Sequence, residues 1–180
     1  MTRLFKKMFF VLPVFGLMLA QQAYAANNDS STITVEIPAI ANITNVDDLD
    51  LGTWSGSGDL SAADDVCIYV NSSGGGYTME AHGNGAGSAF TLLRISDSAT
   101  VSYTVKWGES SGLNYSSMST ILSANTPSST LTGVTMTNAG CSGGTNASFA
   151  VQISESELGS KVGVSSEDFS GTLTLTVAAV

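Results

Sequence analysis

Two short segments, one near each end of the 180-residue chain, alternate strictly between apolar and polar side chains. The first is Thr-Ile-Thr-Val-Glu-Ile at 32–37, the second Thr-Leu-Thr-Leu-Thr-Val at 172–177. Successive side chains of a β-strand point to opposite faces, so each segment carries one apolar and one polar face. Ile33, Val35 and Ile37 share a face in the first; Leu173, Leu175 and Val177 share one in the second. An unpaired strand exposes a row of backbone donors and acceptors, so strands of this kind need partners. These two segments are therefore expected to close a sandwich or to be exchanged between molecules.

The same period recurs between them. Alternation runs through 66–70, 77–82, 100–107 and 147–153, and shorter runs at 39–43, 51–54, 90–95 and 131–136 read as further strands. The Gly-rich stretch 72–76 is expected to join 66–70 to 77–82 as a hairpin. Pro38 interrupts central pairing at its position. Residues 108–129 read as a long polar connection, and 155–159 as a turn or one helical turn. No segment sustains a 3.6-residue apolar period. The expected fold class is all-β, an immunoglobulin-like sandwich of about eight or nine short strands.

Ahead of the first segment, Arg3, Lys6 and Lys7 precede an apolar run at 8–20, and Ala23, Tyr24 and Ala25 supply a cleavage site with small residues. The apolar run, about 13 residues, falls short of the ~20 that span a bilayer. Residues 1–25 are thus expected to be a secretory signal peptide. Its removal leaves Arg94, Lys106 and Lys161 against fifteen acidic residues, a net charge of −12. That sign excludes nucleic acid as a partner. The remainder is long enough for one domain with a sizeable core. In an oxidising compartment Cys67 and Cys141 are expected to form a disulfide, closing a loop of about 75 residues at roughly 4 kcal/mol in the chain-entropy model.

Catalytic and metal patterns are weak. Residues 108–112 match G-x-S-x-G around Ser110, but the hydrolase elbow needs a downstream acid and histidine, and His82 lies upstream. Asp47, Asp48 and Asp50 miss the calcium-loop spacing and, with Asp59, Asp64 and Asp65, read as solvated acidic turns. His82 reads as a surface side chain and 72–76 as a turn without a phosphate-binding lysine. Asn28, Asn42, Asn71, Asn114 and Asn146 each start an N-x-S/T match, as a chain rich in Asn, Ser and Thr produces by chance. Trp107 falls on the apolar face of its strand and reads as core; Trp54 and Tyr115, if exposed, would suit sugar stacking. Neither an enzyme nor a cofactor or metal site is expected.

The pattern as a whole resembles a chaperone–usher pilus subunit. Residues 33–38 and 101–107 are most similar to the alternate, colonisation-factor class. The close from Phe169 through Gly171 to Val177, an aromatic, a small residue, Gly and an alternating strand, resembles the C-terminal strand of those pilins. The Cys67/Cys141 pair resembles that of spore-coat-U-like subunits. The resemblance implies an exported structural subunit of an adhesive fimbrium. It would be carried through the periplasm by a chaperone, passed to an outer-membrane usher and placed at the cell surface, with neighbouring subunits as partners. It implies a sandwich missing one strand, 39–180, preceded by a donor-strand extension, 26–38. Ile33, Val35 and Ile37 would be the donor face, and Phe169, Leu173, Leu175 and Val177 would line or border the acceptor groove. The alternative is a self-complemented exported β-sandwich that binds a glycan or a surface.

Overall fold

A computed structural model describes residues 30–72, 74–133, 139–140, 142, 144–161 and 168–180. The expected signal peptide and Cys141 lie outside the described residues, as does half of the expected strand at 131–136. The chain divides into two units, residues 1–36 and 37–180. Of the first unit, residues 30–36 are described; they enter no helix, turn or ladder. The second unit carries the strands.

Five strands build its larger sheet. They are β1 (Ala41–Thr44), β2 (Leu60–Val70), β6 (Thr104–Gly108), β7 (Thr120–Leu122) and β8 (Ala147–Ile153), in the spatial order β1-β2-β8-β6-β7, each neighbour antiparallel. Facing it, β3 (Tyr77–Gly83) pairs antiparallel with the C-terminal β9 (Leu173–Ala179). A third antiparallel pair joins β4 (Thr91–Leu93) to β5 (Thr100–Ser102). A short α-helix, α1 (Glu155–Gly159), is capped by Ser154, whose hydroxyl accepts from the Glu157 N–H. The all-β, pilin-like sandwich expected from the sequence is what the chain forms.

Alternation explains the packing. Val66, Ile68 and Val70 of β2, Val105 and Trp107 of β6, and Ala147, Phe149, Val151 and Ile153 of β8 point inward from the larger sheet. They meet Tyr77, Met79 and Ala81 of β3, all fully buried. At the centre the Trp107 indole N–H donates to the Tyr77 hydroxyl at 3.0 Å, and the rings meet edge to face with centroids 6.4 Å apart. One bond thus ties the two sheets and satisfies a polar atom in the dry interior. Burial pushes the Tyr77 hydroxyl pKa up to about 12, against the lowering effect of the Trp107 bond.

Several strand expectations change. The segments 66–70 and 77–82 do not form a hairpin: β2 pairs with β1 and β8, whereas β3 pairs with β9. Both segments bury their apolar face in the same core, so they face each other across the sandwich from different sheets. The run 100–107 breaks at Tyr103 into β5 and β6, which belong to different sheets. Residues 51–54 form no strand; the Trp54 indole N–H donates instead to the Gly58 carbonyl at 2.8 Å. Within the polar connection after Gly108 lies a strand the sequence pattern hides, β7. Asp64 and Asp65 are not turn residues but sit inside β2, where their carboxylates hold loops: Asp64 accepts from the Asp47 N–H at 2.8 Å and Asp65 from the Gly112 N–H at 2.7 Å.

Candidate functional site

The two strands of the smaller sheet differ in one respect. β3 is flanked on both sides. One edge carries β9, with Tyr77 opposite Ala179 and Gly83 opposite Leu173. Along its other edge runs the segment after β7: the Ser128 N–H donates to the Met79 carbonyl, the Asn125 N–H donates to the Ala81 carbonyl, and Tyr77 and Leu131 exchange both backbone bonds. Among the described residues no strand pairs with the far edge of β9. At about 3.3 Å per residue, the seven residues of β9 present roughly 23 Å of unpaired backbone.

The apolar face beneath that edge is incompletely covered. Leu173, Leu175, Val177 and Ala179 point inward but are only half-buried, unlike their β3 counterparts, while Thr174, Thr176 and Ala178 face solvent. Across from them, β1 is the edge strand of the larger sheet. Cα atoms of β1 and β9 approach within 8 Å, yet the two strands share no ladder. Ala41 and Ile43 of β1 and the following Leu49 and Leu51 are half-buried against the same core. A cleft of about 220 Å³ opens near the start of β9, lined among others by Val46, Leu49, Leu51, Tyr103, Val151 and Leu173. The seam between β1 and β9 thus carries half-buried apolar side chains from both strands without a ladder among the described residues, and the cleft at the start of β9 is lined by Asp47, Asp48 and Thr172 as well as by apolar residues.

Local chemistry fixes how β9 enters this position. Ser170 exchanges both backbone bonds with Leu93 of β4. A Cβ at Gly171 would lie 3.0 Å from the Thr91 carbonyl oxygen, so the chain passes β4 too closely for a side chain to fit easily. Phe169 lies beneath the Arg94 guanidinium, 5.0 Å from ring centroid to the guanidinium carbon. Arg94 is buried and makes a forked pair with Asp97, Nε to Oδ1 at 2.9 Å and Nη2 to Oδ2 at 2.5 Å. That bond holds the Asp97 carboxyl below the usual carboxylate range. Phe169 thus anchors the approach to β9, whereas Leu173, Leu175 and Val177 form the half-buried inner face of β9 itself.

The expected donor residues lie on the segment that enters no ladder. Ile33, Val35 and Ile37 are 93%, 83% and 76% exposed. Three large apolar side chains at every second position, all in water, repeat the spacing of Leu173, Leu175 and Val177. Cys67 is buried in β2; its expected partner Cys141 lies outside the described residues.

The remaining sequence candidates have structural tasks. The single hydroxyl hydrogen of the fully buried Ser148 is shared between the Asp65 carboxylate, at 2.5 Å, and the Ser110 carbonyl, at 2.8 Å. The G-x-S-x-G loop is thereby stapled to β2 and β8. His82 Nε2 lies 3.2 Å from Glu80 Oε1. Tyr115 packs over the Lys106 ammonium, 4.4 Å from its ring centroid, and its hydroxyl is 2.6 Å from Thr104 Oγ1. The Asn146 amide exchanges two 2.8 Å bonds with the Ile68 backbone, extending the β2–β8 ladder by one step. Asp59 accepts from the Glu155 N–H at the start of α1. Among the described residues no group of three or more His, Cys, Asp or Glu side chains is placed to hold a metal ion, and no helix is long and apolar enough to cross a membrane.

No family model matches the chain, and no curated protein matches it significantly. Among solved structures, it is similar to a chain in a chaperone–tip adhesin complex studied for biogenesis of CFA/I fimbriae. The TM-score is 0.50 at 13% identity, over 78% of this chain and 42% of that one. The chain therefore spans less than half the length of this neighbour. The likeness establishes a fold found in fimbrial assembly.

Proposed function

We propose that this protein is a structural subunit of an adhesive fimbrium that polymerises by donor-strand exchange. The observation carrying this reading is the pairing of opposites: an unpaired β9 edge above a half-covered apolar face, and exposed Ile33, Val35 and Ile37 on a segment that enters no ladder. Adding the donor strand of one subunit to the groove of the next is β-augmentation, in which backbone bonds supply affinity and alternate side chains supply register. Fully burying three such side chains contributes about 5–9 kcal/mol. Because donor and acceptor are different surfaces, the contact is head to tail and does not close, and it yields a filament. In this reading residues 1–25 are the export signal, 26–38 the donor extension and 39–180 the body. Cys67 and Cys141 pair in the periplasm. A chaperone shields the groove until an usher mediates exchange, and no catalysis takes part. The fold likeness to a fimbrial complex supports this setting.

The test is export of the full chain, with and without residues 26–37, into an oxidising compartment. Unboiled gels should show a ladder of heat-labile oligomers that vanishes on truncation. A stable monomer that unfolds on truncation would overturn the proposal and favour a self-complemented sandwich.

A further inference from the structure

We propose, building on the donor-strand reading, that Asn71 directs the segment 32–37 toward a second copy by preventing it from folding back on its own β1. Asn71 follows the last residue of β2. Its backbone N–H donates to the Ile40 carbonyl at 3.1 Å. Its side-chain amide takes the place of a peptide group one step further: Oδ1 accepts from the Ile40 N–H at 2.5 Å, and Nδ2 donates to the Pro38 carbonyl at 2.9 Å. Residues 38–40 are thereby held in line with β1, whose register against β2 ends at Ala41 opposite Val70. Ile37 precedes a proline, which biases it to extended backbone as well.

Released from Asn71, the same sequence is suited to a hairpin. Residues 38–40 would form a three-residue loop, one of the common hairpin lengths. Ile37 would then fall opposite Ala41 and Val35 opposite Ile43, apolar against apolar on the face that β1 turns to the core. That fold-back would cover the edge of β1 and fill the subunit's own groove, removing both donor and acceptor from assembly. A three-residue loop requires the Pro38 and Ile40 backbones to turn, and Asn71 holds both. Asn71 is therefore a specificity device, selecting the intermolecular strand over the intramolecular one.

The test compares three exported full chains: wild type, Asn71→Ala, and a chain with Gly-Ser-Gly-Ser inserted between Ile37 and Pro38. Size-exclusion chromatography gives the monomer fraction and hydrogen exchange reports protection of amides 32–37. Losing two hydrogen bonds, each a factor of a few to ten, should raise the closed, protected monomer of Asn71→Ala at least about fivefold over wild type. Unchanged polymerisation, with 32–37 exchanging freely in residual monomer, overturns the inference. If Asn71→Ala does not fold, the insertion variant decides: it keeps the Asn71 bonds but adds slack, so a rise in closed monomer supports the inference and no rise overturns it. A wild-type monomer with protected 32–37 refutes both readings. A wild-type monomer whose 32–37 amides exchange freely refutes polymerisation alone, and closure in Asn71→Ala then still decides the role of Asn71.

Discussion

On the proposed donor-strand reading, substituting Val35 by Asp should block assembly and leave folding intact. Val35 is 83% exposed and enters no ladder, so the change should leave the stability of the body within about 0.5 kcal/mol, as for other surface sites. In the groove the same side chain would be buried. Its loss removes about 1.5–3 kcal/mol of apolar transfer. The new carboxylate must also be desolvated without a cation, which costs several kcal/mol more. The sum, roughly 5 kcal/mol, lowers the exchange equilibrium by about 10³-fold or more. Unboiled gels of the exported protein, with thermal melting of the purified monomer as the folding control, measure both effects. Thr34→Asp is the matched probe, because residue 34 lies on the opposite face of the strand. The expected result is that Val35→Asp abolishes the ladder while Thr34→Asp keeps most of it. Equal loss in both, or normal filaments from Val35→Asp, would falsify the donor-face assignment.

Three further outcomes concern the body. Tyr77 has a folded pKa of about 12 against 10 when unfolded, so the hydroxyl stays neutral longer in the native state. Its contribution is complete below pH 10 and is lost as pH rises through 12; alkaline melts should fall by an equivalent of about 3 kcal/mol from this group, and Tyr77→Phe should shrink that limb, burial of the Tyr103 hydroxyl maintaining the rest, while lowering stability near neutrality. Asp97 has the opposite sign: with its folded pKa depressed by Arg94, its stabilisation is present above the ordinary carboxylate pKa and is lost as pH falls through the lowered value, so Asp97→Asn should flatten the acid limb of a pH–melting curve. Ser148→Ala leaves the Ser110 carbonyl and one Asp65 interaction unmet and should cost about 1–3 kcal/mol in denaturant titrations, with no change in the oligomer ladder of the folded fraction.

Much of this protein is legible from period alone. A strand buries every second residue, so the spacing of Val66, Ile68 and Val70, or of Phe149, Val151 and Ile153, reveals both their conformation and their inward face. The inward-facing Leu173, Leu175 and Val177 of β9 are legible for the same reason. Pairing is not. Period says which face is apolar but not which neighbour covers it, which is why 66–70 and 77–82 read as one hairpin yet belong to opposite sheets. β7 stays hidden because only Leu122 of its three residues is buried, too little for a visible alternation. Asp64 and Asp65 mislead because a carboxylate in a sequence advertises solvent, whereas here nearby backbone N–H groups supply its partners. Asn71 gives no signal beyond a chance sequon match, since its importance depends on lying next to Pro38 and Ile40, 33 and 31 residues earlier in the chain.

Local alternation, then, determined that the chain is a sandwich whose strands, β9 among them, carry one apolar face each, because side-chain direction follows from the backbone of a single strand. Which edge is left without a partner strand among the described residues, and what holds Pro38 and Ile40 beside Asn71, was decided only in three dimensions, because an edge is open or closed according to residues far away in the sequence.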